Sequence, residues 1–175
     1  FFMTEPQRSM ANNSAVYNEK PTSSQFMEEW IALMKSGSGE RGIFNRGNLK
    51  STLPARRVNM LQGRPWPQWG TNPCGEIILK SAEFCNLSEV VCRAEDTVES
   101  LLRKAKIATI LGTYQATLVH FPYLSPQWKE NCEEERLLGV SVTGQWDCPV
   151  VRQAEVLQKL RQEVLRVNQE YAQRF

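Results

Sequence analysis

Three side chains capable of chemistry occur at alternate positions in one short segment. Asn72, Cys74 and Glu76 are separated by Pro73 and Gly75. In an extended segment alternate side chains point to the same side, so this spacing predicts an amide, a thiol and a carboxylate on one face. An amide can hold a substrate hydroxyl, a thiol can act as nucleophile or hydrogen-atom carrier, and a glutamate with an ordinary pKa of about 4.3 is a general base at neutral pH. The segment is therefore a candidate reactive site.

The same residue types also have a purely structural interpretation. A cysteine is more often a small buried hydrophobic residue than a reactive group, and Asn-Pro-x-Gly is common in turns. Spacing alone favours that interpretation for Cys74, and equally for Cys85. No spacing argues for a reactive role of Cys92, Cys132 or Cys148.

Composition excludes several classes of protein. The 175 residues are 41% hydrophobic and 23% charged, which predicts a folded chain of about one domain. The net charge is only +2, so no nucleic-acid partner is expected. No apolar run approaches the roughly 18 residues of a membrane span, so no membrane partner is expected either. A single histidine, His120, and the lack of a Cys-x-x-Cys motif leave little for zinc or Cys/His chemistry, and no metal site is predicted.

The cysteine count and the chain ends indicate the setting of the protein. Five cysteines is an odd number in a chain long enough to bury its own core, which favours a reducing compartment and predicts a cytoplasmic location. The chain begins without a methionine and ends inside a helical pattern. We therefore expect it to be part of a longer polypeptide.

The elements that must position these residues predict a mixed α/β fold. Three segments have apolar residues at helical spacing with start or stop residues beside them. They are residues 22–37, with a capping box at Thr22 and Gln25 and a stop at Gly37; residues 96–112, starting at Asp96 and Glu99 and broken near Gly112; and residues 154–171.

Short apolar runs complete this pattern. Residues 77–79 and 87–91 predict strands or the strand-like legs of a loop, and residues 138–144 predict a strand. Residues 42–70 are rich in Gly, Pro, Arg and Asn and predict a long extended connection, and the acidic run at residues 130–135 predicts a solvated face.

Two motifs together resemble the catalytic finger loop of ribonucleotide reductases. They are residues 72–77 (Asn-Pro-Cys-Gly-Glu-Ile) and residues 84–90 (Phe-Cys-Asn-Leu-Ser-Glu-Val). The short gap between the two cysteines resembles the spacing in the adenosylcobalamin-dependent (class II) enzymes. In class I enzymes a longer insertion usually separates the two cysteines. The resemblance extends through residues 10–14, 37–46 and 136–144, and so covers nearly the whole chain.

The resemblance implies a fold and a place for this chain within it. In that family a ten-stranded α/β barrel, made of two parallel five-stranded halves, encloses the finger loop. Residues 1–175 would be a fragment of the catalytic barrel, with the central finger loop at about residues 71–90.

The resemblance also implies a role for four residues in the reduction of ribonucleotides to 2′-deoxyribonucleotides. Cys74 would become the thiyl radical that removes the ribose 3′ hydrogen, and Glu76 would take the 3′-hydroxyl proton. Asn72 would hold the sugar hydroxyls. Cys85 would be one of two thiols that deliver two electrons by closing to a transient disulfide, and its partner is expected before Phe1.

The implied cofactor is adenosylcobalamin, whose binding residues the sequence does not identify. The implied partners are the ribonucleotide substrate, the remainder of the reductase polypeptide, a thioredoxin-like reductant and a nucleotide effector. Three alternatives stay open at this point. They are a class I reductase supplied with a radical by a tyrosine relay, a non-catalytic nucleotide-binding barrel fragment, and a glycyl-radical type of thiyl enzyme, for which Cys85 would have no purpose.

Overall fold

The computed structural model describes residues 5–7, 13–37, 42–62, 65 and 68–175. The chain divides into two compact units, Phe1–Ser81 and Ala82–Phe175. Residues 1–4, residues 8–9 and parts of the resemblance, at residues 10–12 and 38–41, lie outside the described residues.

The first unit contains a parallel strand pair joined by a helix. Strand β1 (Ser14–Tyr17) lies beside β2 (Gly42–Asn45), with Ser14 opposite Gly42, and helix α1 (Ser23–Ser36) is the crossover. Parallel neighbours need such a crossover because a tight turn cannot join them.

The predicted ends of α1 are confirmed. The Thr22 side chain accepts a hydrogen bond from the backbone N–H of Gln25, and the Gln25 side chain accepts one from the N–H of Thr22, which completes the capping box. Gly37 ends the helix with a φ of 61°, a left-handed conformation that favours glycine.

The prediction of an extended connection over residues 42–70 is wrong for its described part. Besides β2, this segment contains a 3-10 turn, two short helices and a strand: Arg46–Asn48, α2 (Leu49–Thr52), α3 (Ala55–Asn59) and β3 (Trp69–Thr71). Pro54 does not interrupt a helix, because it occupies the N-cap position of α3, where its missing N–H costs nothing. Residues 63–64 and 66–67 lie outside the described part.

The core of the first unit is small and lies against a hairpin. Strand β3 pairs antiparallel with β4 (Ile78–Lys80), with Thr71 opposite Ile78 nearest the connecting loop. Trp69 is 1% exposed and forms the centre of the core. The core consists of buried Leu49, Leu61 and Trp69, with Phe44, Leu53 and Ile78 packed against them.

The second unit is built around another parallel strand pair. Its elements are β5 (Asn86–Val91), α4 (Val98–Gln115), α5 (Pro126–Glu135), β6 (Leu138–Thr143) and α6 (Ala154–Ala172). Strands β5 and β6 are parallel neighbours, and α4 packs on both of them and on α6. The core between them is aliphatic: Val90, Cys92, Leu101, Ala105, Ala108, Cys148, Val151, Val156 and Leu160.

Helix α4 differs from its prediction at both ends. Its N-cap is Thr97, paired with Ser100 in a capping box, instead of Asp96 with Glu99. It also continues through Gly112 to Gln115. A Cβ at Gly112 would lie 2.2 Å from the Leu138 side chain, so this glycine allows the helix to approach β6 closely and does not break it.

Helix α5 was not expected, and the solvated face predicted for residues 130–135 is wrong in part. Pro126 occupies the first turn of the helix, a position that needs no N–H donor. Cys132 and Glu135 are each only 6% exposed. One side of this acidic helix is therefore buried within the second unit.

The described residues form a mixed α/β structure with three sheets of two strands each, none of them closed into a barrel. Two of the sheets are parallel β-α-β units, the kind of unit from which α/β barrels are assembled. The ten-stranded barrel stays a prediction. Among the described helices, none is long and apolar enough to cross a bilayer.

Candidate active site

The segment that carries the alternating side chains is the loop of the β3–β4 hairpin. The N–H of Asn72 donates to the carbonyl of Ile77 over 3.2 Å, and the N–H of Gly75 donates to the carbonyl of Asn72 over 3.0 Å. Gly75 has a φ of 82°, which closes the turn. Residues 72–77 therefore form a turn, and the expectation of an extended segment is wrong.

The turn brings Asn72 and Glu76 into direct contact. The side-chain amide of Asn72 donates to Oε1 of Glu76 over 2.6 Å, and its carbonyl oxygen accepts from the N–H of Ile77 over 3.0 Å. The Asn72 side chain is thus oriented by two hydrogen bonds, and it holds the Glu76 carboxylate in turn. A primary amide has two N–H donors and a carboxylate has two oxygens, so each group keeps capacity for a ligand.

Cys74 lies between these two residues at the tip of the loop. Its side chain is exposed, flanked by Pro73, whose φ is fixed, and by Gly75 in its left-handed conformation. The structural interpretation of Cys74 as a buried hydrophobic residue is therefore wrong. A thiol, a carboxylate and an amide are carried together on one exposed turn.

Two arginines that the sequence did not single out contact this hairpin. Arg57 donates from Nη1 to the carbonyl of Ile78 over 2.8 Å, and Arg46 donates from Nη1 to the carbonyl of Trp69 over 3.3 Å. Arg46 lies within the stretch that carries the resemblance, whereas no motif includes Arg57. Both contacts join residues more than 20 positions apart, so no local pattern could reveal them.

Cys85 lies in the second unit, just before β5, and is half-buried. The neighbouring Phe84 packs edge-on against Phe121, with ring centroids 5.1 Å apart, and lies 5.8 Å from the ring of Trp128. This aromatic cluster fixes the segment that leads into the strand. Trp128 belongs to α5, the helix that sequence analysis missed.

Two asparagines complete the support of the Cys85 segment. The backbone N–H and the side-chain amide of Asn86 both donate to the carbonyl of Leu137, over 2.9 and 3.2 Å, which ties the start of β5 to the start of β6. Asn131 of α5 donates to the carbonyl of Ala82 over 3.2 Å. Cys85 is therefore held on both sides by the second unit.

The remaining three cysteines are structural, as the sequence indicated. Cys92, Cys132 and Cys148 are buried, and Cys92 and Cys148 belong to one core cluster. Burial, followed by the nearby Cys148, raises the pKa of the Cys92 thiol, so it stays protonated at neutral pH. All five cysteines lie in the described part of the chain, and none forms a disulfide.

Two cavities lie among the described residues. Cavities of about 540 and 290 Å³ lie in the first and second units. Their volumes are at or near the range of pockets that bind small molecules. Within the described ranges, no group of three or more His, Cys, Asp or Glu side chains could hold a metal ion. The described residues assign no binding site to adenosylcobalamin, which stays a prediction from the resemblance.

Three of the four predicted site residues are thus in one loop, and the fourth is not. Asn72, Cys74 and Glu76 share the hairpin turn of the first unit, whereas Cys85 belongs to the second. The association of Cys85 with the other three stays a prediction from the resemblance.

Comparison with known proteins adds no relative to this picture. No protein-family model matches the chain, and no curated protein or solved structure is significantly similar to it.

Proposed function

We propose that this chain is part of the catalytic barrel of a ribonucleotide reductase and carries its radical-bearing loop. The observation that supports the proposal most is the hairpin turn, in which exposed Cys74 lies between the hydrogen-bonded pair Asn72 and Glu76. The motif suggested these residues on sequence grounds alone. Their geometry is suited to a sugar, since it joins a hydrogen-atom carrier to a base and an amide.

The first step of the proposed reaction belongs to the loop. The Cys74 thiyl radical takes the hydrogen atom from C3′ of the ribose, so that an S–H bond forms, a C–H bond breaks and the unpaired electron moves to carbon. Glu76 accepts the proton of the 3′-hydroxyl. Asn72 donates to a sugar hydroxyl and keeps the ring in place while both transfers occur.

The second step belongs to Cys85 and a partner thiol elsewhere in the reductase. The 2′-hydroxyl leaves as water, and the two thiols close to a disulfide, which supplies two electrons and two protons. Returning the hydrogen atom from Cys74 to C3′ restores the thiyl radical and completes the deoxyribonucleotide. A thioredoxin-like dithiol then reopens the disulfide.

The radical source in the proposal is adenosylcobalamin, whose role when bound is to generate an organic radical that oxidises the loop thiol. The described residues assign no binding site to it, so this part rests on the short spacing between Cys74 and Cys85 alone. The substrate, a nucleotide effector and a cytoplasmic setting belong to the same proposal.

The test is a reduction assay on the intact polypeptide that contains these residues. It is supplied with ribonucleoside di- or triphosphates and a dithiol, with and without adenosylcobalamin, and deoxyribonucleotide is measured. We expect product only with the cofactor. We also expect Cys74→Ser to abolish product, because a serine oxygen cannot carry the radical reversibly, whereas Cys132→Ala removes a buried thiol and retains turnover.

Three outcomes would contradict the proposal in different parts. Turnover by the Cys74→Ser variant would contradict the assignment of Cys74 as the residue that carries the radical. Product formed without cobalamin, but with a separate radical-generating subunit, would favour a class I reductase. Nucleotide binding by the wild-type polypeptide without any turnover would favour a non-catalytic role.

A further inference from the structure

We infer that Arg57 is a positioning residue for the Cys74 loop, and that it acts by holding both strands of the hairpin that carries the loop. The inference rests on the proposed function in one respect, namely that the loop must be held accurately for Cys74 to react. The contacts themselves are independent of that function.

Arg57 reaches both strands of the hairpin from α3. Its Nη1 donates to the carbonyl of Ile78 on β4 over 2.8 Å, and its guanidinium carbon lies 5.0 Å from the ring centroid of Trp69 on β3. Ile78 is the first residue of β4 after the loop. Trp69 lies at the other end of the hairpin, where it pairs with Lys80. One planar group therefore bridges the two strands, on β4 next to the turn and on β3 at the far end.

Trp69 is held through its backbone carbonyl as well as through its ring. Arg46 donates from Nη1 to the Trp69 carbonyl over 3.3 Å and from Nε to Oδ1 of Asn18 over 2.7 Å. This second arginine connects the hairpin to the end of β1. The hairpin is thus braced by two cations that lie on different elements of the first unit.

A buried arginine is an unusual means of support. Arg57 is only 6% exposed, and moving a cation out of water carries a large desolvation cost that apolar packing would avoid. A two-stranded hairpin of three residue pairs is also marginal by itself. Arginine provides direction, since its planar fork fixes the angle of a carbonyl and an aromatic face together. Lysine, a point charge on a flexible stem, provides the charge without that geometry.

The expected consequence is a loss of order that is confined to the hairpin. The amides of Gly75 and Ile77 are hydrogen-bonded inside the loop and report on its order. In Arg57→Ala we expect hydrogen exchange of peptides covering residues 69–80 to accelerate about tenfold or more, because local opening sets that rate. Arg57→Lys should show most of the same effect. Exchange in α4 should not change.

Activity provides a second and separable measurement. A misplacement of about 1 Å at a reacting group can cost roughly 100-fold in rate, so Arg57→Ala should lower kcat by about 10- to 100-fold with KM changed less than about threefold. The matched control is Arg56→Ala, which removes the exposed neighbour of Arg57 on the same helix. It should leave both exchange and kcat unchanged.

The experiment uses the intact polypeptide and distinguishes two failures. Unchanged exchange of residues 69–80 in Arg57→Ala overturns the inference, whatever the activity. Acceleration spread evenly over the whole first unit also overturns it, because Arg57 would then be a general stabilising residue. Confined acceleration supports the inference even if Cys74→Ser retains turnover, in which case only the proposed function fails.

Discussion

The two units of this chain are stabilised by different means. The second unit has an aliphatic core of nine buried residues between a parallel strand pair and two long helices, α4 and α6. Among the described residues of the first unit, three apolar residues are buried in its core cluster, and the hairpin is braced by arginines. None of the residues of α1 is fully buried. Apolar burial scales with area, whereas the polar contacts fix direction.

This difference bears on the candidate chemistry. The Cys74 loop belongs to the polar, lightly packed unit, and Cys85 belongs to the segment that leads into the strongly packed one. Two thiols with different proposed tasks are therefore supported in different ways. Substitutions should affect the two units differently, and those differences can be measured.

The largest expected effect comes from Cys85. In the intact polypeptide, Cys85→Ser should reduce deoxyribonucleotide formation by at least about 100-fold, because it removes one thiol of the proposed two-electron donor. Exchange of the ribose 3′ hydrogen should survive, since the Cys74 loop lies in the other unit and is unchanged. The measurement compares product yield with release of tritium from 3′-labelled substrate. A normal product yield would remove Cys85 from the reducing pair.

The next effect compares the two cores. Leu101→Ala in α4 should lower the free energy of unfolding by about 3–5 kcal/mol, because Leu101 is 0% exposed at the centre of the larger core and leaves a cavity. Leu61→Ala, in the small core and 8% exposed, should cost about 2–3 kcal/mol, at the lower end of the range for such substitutions. Both losses of free energy of unfolding are measured by denaturant titration, with hydrogen exchange monitored separately in each unit. Equal costs would contradict the contrast between the units.

The smallest effect concerns a carboxylate at the start of α4. Asp96 accepts hydrogen bonds from Lys104 over 2.6 Å, from the Ser100 hydroxyl over 2.7 Å and from the N–H of Arg93 over 2.8 Å. Lys104 first, and then Ser100, lower the pKa of Asp96 from 3.8 to about 2. Because the folded state has the lower pKa, the stabilisation is complete above about pH 4 and is lost as the pH falls through 2.

Asp96→Asn tests this dependence on pH. Lys104 is partly exposed, so solvent screens its interaction with Asp96. With allowance for this screening, the free energy of unfolding of the wild type should exceed that of the variant by about 1–2 kcal/mol at pH 6, and the difference should shrink towards pH 2. Asp147→Asn, at an exposed position of the same unit, is the control and should show no such trend. Acid unfolding curves of the three proteins provide the comparison. A difference that does not vary with pH would contradict the assignment.

The elements that sequence predicted best are those with local signals. The capping box at Thr22 and the stop at Gly37 defined α1, and the apolar period of residues 154–171 located α6 to within a residue. These signals depend on neighbours along the chain. They are therefore visible before any tertiary contact is known.

The elements that sequence missed depend on contacts distant along the chain. Gly112 resembles a helix end until Leu138 is placed against it. The polar helix α5 has no strong apolar period, yet it contributes Trp128 and Asn131 to the support of the Cys85 segment. The braces on the hairpin, Arg46 and Arg57, are equally invisible to local patterns.

The candidate site was predictable in composition but not in shape. Alternation correctly grouped Asn72 with Glu76, whereas the assumption of an extended backbone was wrong, because Gly75 reverses the chain. The turn joins the amide and the carboxylate by a hydrogen bond, which the alternation of side chains alone does not imply.

That bond has a consequence for any molecule that meets the loop. It uses one N–H of the amide and one oxygen of the carboxylate, so a donor and an acceptor remain side by side for an incoming molecule. A hydroxyl both donates and accepts, and it can therefore bind to the two groups at once. An ether oxygen only accepts, so it can bind to the amide alone and gains less affinity.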